Sequence, residues 1–162
     1  MGDIRTVEIV PPEGVNLIVG QSHFIKSVED IYEAIMNTAP NIEFGVAFCE
    51  SSGPRLIRKD GNNKEMIDLA VEYASRIACG HVFVICLRKG YPINILNSIK
   101  SVPEVVSIYC ASANPLLFVV YEEGERRALL GVSDGLKPLG IEDETKVKDR
   151  IAFLRRIGYK RG

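Results

Sequence analysis

Histidine occurs only twice in the chain, at His23 and His81, and the four cysteines form no CxxC pair. Cys49, Cys79, Cys86 and Cys110 are too scattered for a zinc site and read as buried free thiols. No apolar run approaches the length of a bilayer span; one of the longest, His81-Val82-Phe83-Val84-Ile85-Cys86-Leu87, is a strand's worth. Neither sign of charge dominates. Twenty basic residues face 21 acidic ones, giving a net charge of -1 and a pI near 6.2. That balance offers no electrostatic case for binding nucleic acid or a membrane surface. The start of the chain lacks the charged-then-apolar plan of a signal peptide, so a cytoplasmic protein is expected. The common nucleotide machines are missing too. There is no GxxxxGK[ST] loop, no GxGxxG after the first strand and no HExxH. The glycine loop, lysine strand, HRD and DFG of protein kinases are also absent.

What remains is an ordinary globular composition, 46% hydrophobic and 25% charged over 162 residues, enough for one domain with a real core. Residues 4–10 alternate apolar and polar side chains, the period of a half-buried strand. Pro11-Pro12-Glu13-Gly14 reads as a turn, and residues 15–20 as a second strand paired with the first in a hairpin. Ser27 is placed to cap a helix whose buried stripe is Val28, Ile31, Tyr32, Ile35 and Met36. Residues 43–49 form a strand, 56–58 a short one, and Asp60-Gly61-Asn62 a turn. The clearest helix covers 63–78, with Met66, Leu69, Ala70, Tyr73, Ala74 and Ile77 on one face and Gly80 ending it. Residues 81–87 read as a central strand, apolar on both faces. A short helix follows Tyr91-Pro92. Strands at 105–112, 116–122 and 126–133 form an antiparallel meander. A last helix over 143–157 turns Val147, Ile151 and Leu154 inward. The expected architecture is a single α/β or α+β domain over 1–162. It has a mixed central sheet with packed helices, then a C-terminal β-meander and a helix.

Three polar stretches follow strands, and crevices beyond strand ends are where open α/β sheets bind ligands. The first is Gln21-Ser22-His23. His23 reads either as a packed, hydrogen-bonded residue or as a group for chemistry: a general base, a metal ligand or a phosphoryl-accepting nucleophile. The metal role is weakest, because no two further ligands assemble around it. The second is Glu50-Ser51-Ser52-Gly53-Pro54-Arg55. Two hydroxyls, flexible amides at Gly53 and the Arg55 guanidinium make the parts of a phosphate cradle, and equally of a tight turn with a solvated arginine. The third is Ala111-Ser112-Ala113-Asn114-Pro115. If the strands are suitably ordered, all three meet at one edge. His81 reads best as packed at a sheet end, with a role in orienting His23 as the alternative. Asp134 sits in an Asp-Gly turn and could bind ribose hydroxyls or take a proton. Tyr91 and Phe24 could stack on a base or pack in the core, and Asn94 lies on the polar side of its helix.

Taken together, these stretches resemble a small prokaryotic and largely archaeal family, the adenosine-specific kinases. The resemblance covers nearly the whole chain. It is carried by Val19-Gly20-Gln21-Ser22-His23-Phe24, by Phe48-Cys49-Glu50 with Ser52-Gly53-Pro54-Arg55-Leu56, and by Gly80-His81-Val82-Phe83-Val84-Ile85. Tyr91-Pro92-Ile93-Asn94, Val102-Pro103-Glu104-Val105, Ala113-Asn114-Pro115, and Leu130-Gly131-Val132 with Asp134-Gly135 extend it in order. The resemblance implies binding of adenosine and AMP, a phosphohistidine at the matching His23, and a homo-oligomer such as a trimer with sites near subunit contacts.

The function this points to is phosphoryl transfer to adenosine, giving AMP. Arg55, Ser22 and the amides from Ser51 to Gly53 are expected to hold phosphoryl oxygens. Asp134 or Glu50 is expected to be the base for the ribose hydroxyl. Gln21, Ser52, His81, Tyr91, Asn94 and Asn114 complete the expected substrate contacts. The sequence leaves the phosphoryl donor open; if it is ATP, Mg²⁺ is expected with it, with no protein ligands for the metal assigned. The rival classes are a non-catalytic adenosine or AMP sensor and a structural oligomer.

Overall fold

A computed structural model describes all residues, 1–162. In chain order the elements are β1 (Asp3–Ile9), β2 (Asn16–Ser22), α1 (Ser27–Thr38), β3 (Glu43–Cys49), β4 (Ile57–Gly61) and α2 (Lys64–Ile77). They continue with β5 (Val82–Arg88), α3 (Pro92–Lys100), β6 (Val105–Ser112), β7 (Leu116–Glu123), β8 (Arg126–Asp134) and α4 (Glu144–Arg156). The strands form a five-stranded sheet, β4-β3-β5-β2-β6, and a three-stranded sheet, β1-β7-β8. The α/β class and the single domain hold. The sheet is not mixed: every pairing in both sheets is antiparallel.

Alternation along β2, β3 and β5 builds the layers, because successive side chains leave a strand on opposite faces. Ile18, Val46, Phe48, Phe83 and Ile85 face one way and are sealed by α1 and α3 through Ile31, Ile35, Ile95 and Ile99. Leu17, Val19, Ala47, Val84 and Cys86 face the other way, against α2 and the inner face of the small sheet. Each fully buried side chain of this size contributes about 1.5–3 kcal/mol. The contact between α2 and β3 is close enough to require Gly45, where a Cβ would run into the helix backbone at Met66 and Ile67. At the start of α2 the Asn63 side chain accepts from the Met66 amide at 3.2 Å, a cap of about 1 kcal/mol.

Several expectations fail for physical reasons. β1 and β2 are not a hairpin. β1 pairs with β7, with Ile9 opposite Leu116, while β2 lies between β5 and β6. β2 is apolar on both faces and needs the middle of the large sheet, whereas β1 buries only Ile9 fully and suits an edge. The meander is also incomplete: β7 and β8 pair, but β6 joins β2. The Asp60-Gly61 turn lies within β4. Ser27 is not the cap of α1; Lys26 holds that position, and the Ser27 hydroxyl donates to the Phe24 carbonyl at 2.7 Å. α2 ends at left-handed Ala78, two residues before Gly80. Finally, α4 has no inner face. None of its residues is buried, and the segment before it leaves Leu136, Leu139 and Ile141 in solvent.

Candidate functional site

One end of the five-stranded sheet gathers two of the three polar stretches. β2 and β3 end there, and β5 and β6 begin there. The Ser22 amide donates to the His81 carbonyl at 2.9 Å, and the His81 amide to the Cys49 carbonyl at 2.7 Å. The His23 amide donates to the Glu104 carbonyl at 3.1 Å. His23, His81 and Glu50 therefore stand on or just beyond neighbouring strands. His23 is exposed, on a backbone pinned from both sides.

Ser22 serves that mount rather than a ligand. It is fully buried, its hydroxyl bonds that of Ser27, and it donates to the Glu104 carbonyl at 3.1 Å. The expectation that Ser22 touches phosphate fails for this reason. The Gln21 amide oxygen accepts from the Tyr109 hydroxyl at 3.4 Å. Glu104, only 4% exposed, holds the Lys26 ammonium at 2.9 Å and leaves its second oxygen buried without a partner.

Beside this mount, a hydrogen bond of 2.7 Å joins the Ser51 hydroxyl to His81 Nε2. The His81 ring stacks on Phe48, with centroids 5.9 Å apart and planes tilted by 19°. His81 and Arg55 both hold left-handed backbone, at φ 64° and 53°. For side chains other than glycine this region is sparsely used, and such strain clusters at functional sites. Ser52 and Gly53 form an exposed turn, Gly53 also left-handed. Arg55 Nη1 lies 3.3 Å from a Glu125 oxygen. Glu50 accepts from the Leu56 amide at 2.8 Å and from Arg58 at 2.9 Å. Those two contacts, the amide first, hold its carboxyl below the usual carboxylate range. With both oxygens engaged, Glu50 is a poor proton acceptor.

Asp134, Asn114, Tyr91 and Asn94 lie elsewhere. Asp134 closes β8 opposite Leu116, and β6 ends at Ser112 opposite Leu17. Five steps along β2 separate Leu17 from Ser22, about 17 Å at the usual rise per residue. Within one protomer, then, the third polar stretch does not meet the first two. Asp134 Oδ1 accepts from Ser112 Oγ at 2.6 Å and from Asn114 Nδ2 at 3.0 Å. The Asn94 side chain accepts from the Tyr91 amide at 2.8 Å, at the start of α3.

Residues 7–160 match the family model described as adenosine specific kinase. The chain belongs to this family. A solved relative agrees in shape: the crystal structure of the PH1918 protein from Pyrococcus horikoshii OT3 is 42% identical, covers all of both chains and superposes with a TM-score of 0.95. No curated protein matches the chain.

In this member of the adenosine-specific kinase family, the cysteines stand apart from chemistry. All four are free and buried. Burial pushes the Cys49 and Cys79 thiols up to about 11 and Cys110 to about 12, and raises Cys86 further. Such thiols are inert. No group of three or more His, Cys, Asp or Glu side chains lies together that could hold a metal. No helix is long and apolar enough to cross a membrane.

Two features of the site had no sequence signal strong enough to mark them. Glu104 reads as an ordinary residue after Pro103, yet its carbonyl mounts both Ser22 and His23. Arg126 and Arg127 read as the start of a strand, yet they line a cleft of about 710 Å³ with Ser51, Arg55 and Gly80. Consecutive arginines directly after a hairpin turn are the one cue that was available.

Proposed function

We propose that the protein transfers a phosphoryl group to adenosine, giving AMP, through a phosphohistidine at His23. The observation that carries this reading is the exposed His23 side chain on a fixed backbone, at the sheet end where Ser51, His81 and Arg55 gather, in a chain of this family. In the first step an imidazole nitrogen attacks the terminal phosphorus of a nucleoside triphosphate. A P–N bond forms, the P–O bond to the diphosphate breaks, and the diphosphate leaves with the electron pair. In the second step a ribose hydroxyl oxygen attacks phosphorus. The P–N pair returns to the ring nitrogen, and the hydroxyl proton is lost to solvent on the opposite face of the phosphorus. Splitting the transfer in two is the usual reason for a covalent nucleophile, and positioning with charge neutralisation supplies most of the rate.

One observation favours the second reading, a non-catalytic adenosine or AMP sensor. Glu50, the carboxylate beside Ser51, has both oxygens engaged, which suits binding better than proton transfer. Incubation with γ-labelled ATP and adenosine separates the two. Labelled AMP that disappears in His23→Ala supports the enzyme. Adenosine binding with no AMP above that variant's background supports the sensor.

A homo-oligomer in the cytoplasm belongs to the same proposal. Supporting the oligomer, α4 and the segment before it leave Leu136, Leu139, Ile141, Phe153 and Ile157 exposed on one chain, the kind of apolar surface that a second copy covers.

A further inference from the structure

The cleft beside Ser51 carries charge that nothing in the protomer answers. Its walls come from the end of β3 and the turn after it, the end of α2, and the tip of the β7–β8 hairpin. Arg55, Arg126 and Arg127 line it, facing Glu50 and Glu125. Glu50 is held by Arg58 and the Leu56 amide, and Glu125 pairs with Arg55. Neither Arg126 nor Arg127 enters an ion pair. Their cross-strand neighbours Glu123 and Glu122 turn instead to the N-terminus and to Arg5. Arg127 Nε is buried with no hydrogen-bond partner, and an unpaired buried polar group is costly unless something completes it.

A structural duty competes for Arg127. It lies near enough to Cys79 to oppose the rise of that thiol's pKa, so it also stands by the negative end of α2. That duty needs one cation and no cleft. It leaves Arg126 and the strained Arg55 backbone, φ 53°, without a purpose.

We propose that this cleft binds the phosphate chain of a polyphosphate, with Arg126 and Arg127 as its principal ligands and Arg55 at its mouth. Guanidinium groups match phosphate oxygens two at a time, and three of them answer a chain bearing several negative charges. The Ser51–His81 pair lies between the cleft and His23. Two strand spacings, about 10 Å, separate the β3 and β2 ends. The cleft is thus placed to hold a donor whose last phosphoryl points toward His23, and this extension alone rests on the phosphohistidine reading.

Titration calorimetry with sodium tripolyphosphate and with ATP tests the proposal on the intact protein, Arg126→Ala, Arg127→Lys and His23→Ala. Both compounds should bind the intact protein and compete for one site. Arg126→Ala should weaken both roughly tenfold or more with an unchanged melting temperature. Arg127→Lys, which keeps the charge beside α2 but loses the fork, should weaken both without unfolding the protein. His23→Ala should bind tripolyphosphate as before. If that variant binds normally while forming no phosphoenzyme and no AMP, the cleft and His23 have separate duties, as stated. If the intact protein forms no phosphoenzyme yet binds tripolyphosphate through Arg126, the phosphohistidine reading fails and the cleft stands. Tighter binding of ATP identifies a nucleoside triphosphate, and tighter binding of tripolyphosphate identifies an inorganic chain. Failure of tripolyphosphate to bind, or equal binding to the intact protein and Arg126→Ala, overturns the proposal.

Discussion

Asp134, Ser112 and Asn114 close on one another at one end of the five-stranded sheet, while at the other end His23 and the Ser51–His81 pair face outward. Both ends offer the same kinds of side chain in loops after strands. At the Asp134 end the carboxylate accepts from its neighbours, and the backbone among Ser112, Asn114 and Asp134 stays out of the left-handed region until Gly135. At the His23 end the backbone is bent into left-handed geometry at Gly53, Arg55 and His81, and a cleft opens beside it. Hydrogen bonding that closes on itself is structure. Polar groups held in strained geometry with space in front of them are the form an active site takes.

Substitutions that strike one end and spare the other test this contrast. After His23→Ala, which should abolish AMP formation, the largest difference should come from Ser51→Ala. Its hydroxyl lies at the surface and its loss should leave melting unchanged, while AMP formation falls about 10²-fold or more; the matching Asp134→Asn should keep the rate within about twofold. Equal loss of rate in both would erase the distinction between the ends. Next is Gly20→Ala, at the base of the His23 loop. A Cβ there meets the Phe83 ring and stands 2.7 Å from the Ser107 carbonyl oxygen, so denaturant unfolding should show a loss of about 1–3 kcal/mol.

Smaller effects belong to the quiet end. Asp134→Ala strands Ser112 and Asn114 and should cost about 1 kcal/mol, a fall in melting temperature of about 2–4 °C, with adenosine binding intact. The mildest test is acid. The Leu56 amide and Arg58 favour ionised Glu50 in the folded protein. Stability from this group is present above its unfolded pKa, near 4.3, and is lost as pH falls through the lower folded value. Glu50→Gln should therefore flatten the drop in melting temperature below about pH 4.3. An unchanged drop would mean that Glu50 is not held as described.

How much of this was legible in the chain depends on range. β5 and α2 were readable within a residue or so, because an apolar run and a 3.6-residue stripe are local signals. Partner choice was not. The pairing of Ile9 with Leu116 spans most of the chain, and nothing within β1 states it. The hairpin suggested by Pro11 to Gly14 was a local turn that instead passes the chain between sheets. The amphipathic stripe of α4 was read correctly as a stripe and wrongly as covered, since a pattern names a face but not its neighbour. His23, Ser51 and Arg55 were marked by residue type and position after strands, and His81 by its place before one; the fold brings all four to one sheet end. Ser22 looked like a ligand because burial is invisible in a dipeptide. Arg126 and Arg127 were missed because their value comes from a hairpin tip folding over a loop some 70 residues earlier.

The most direct test of the central claim is a chase. The protein is exposed to γ-labelled ATP, freed of nucleotide, mapped for acid-labile phosphate by peptide and ³¹P analysis, and then mixed with adenosine. One phosphoramidate should form, on His23, and vanish as labelled AMP appears. Label on any other residue, or label on His23 that adenosine cannot remove, would contradict the claim.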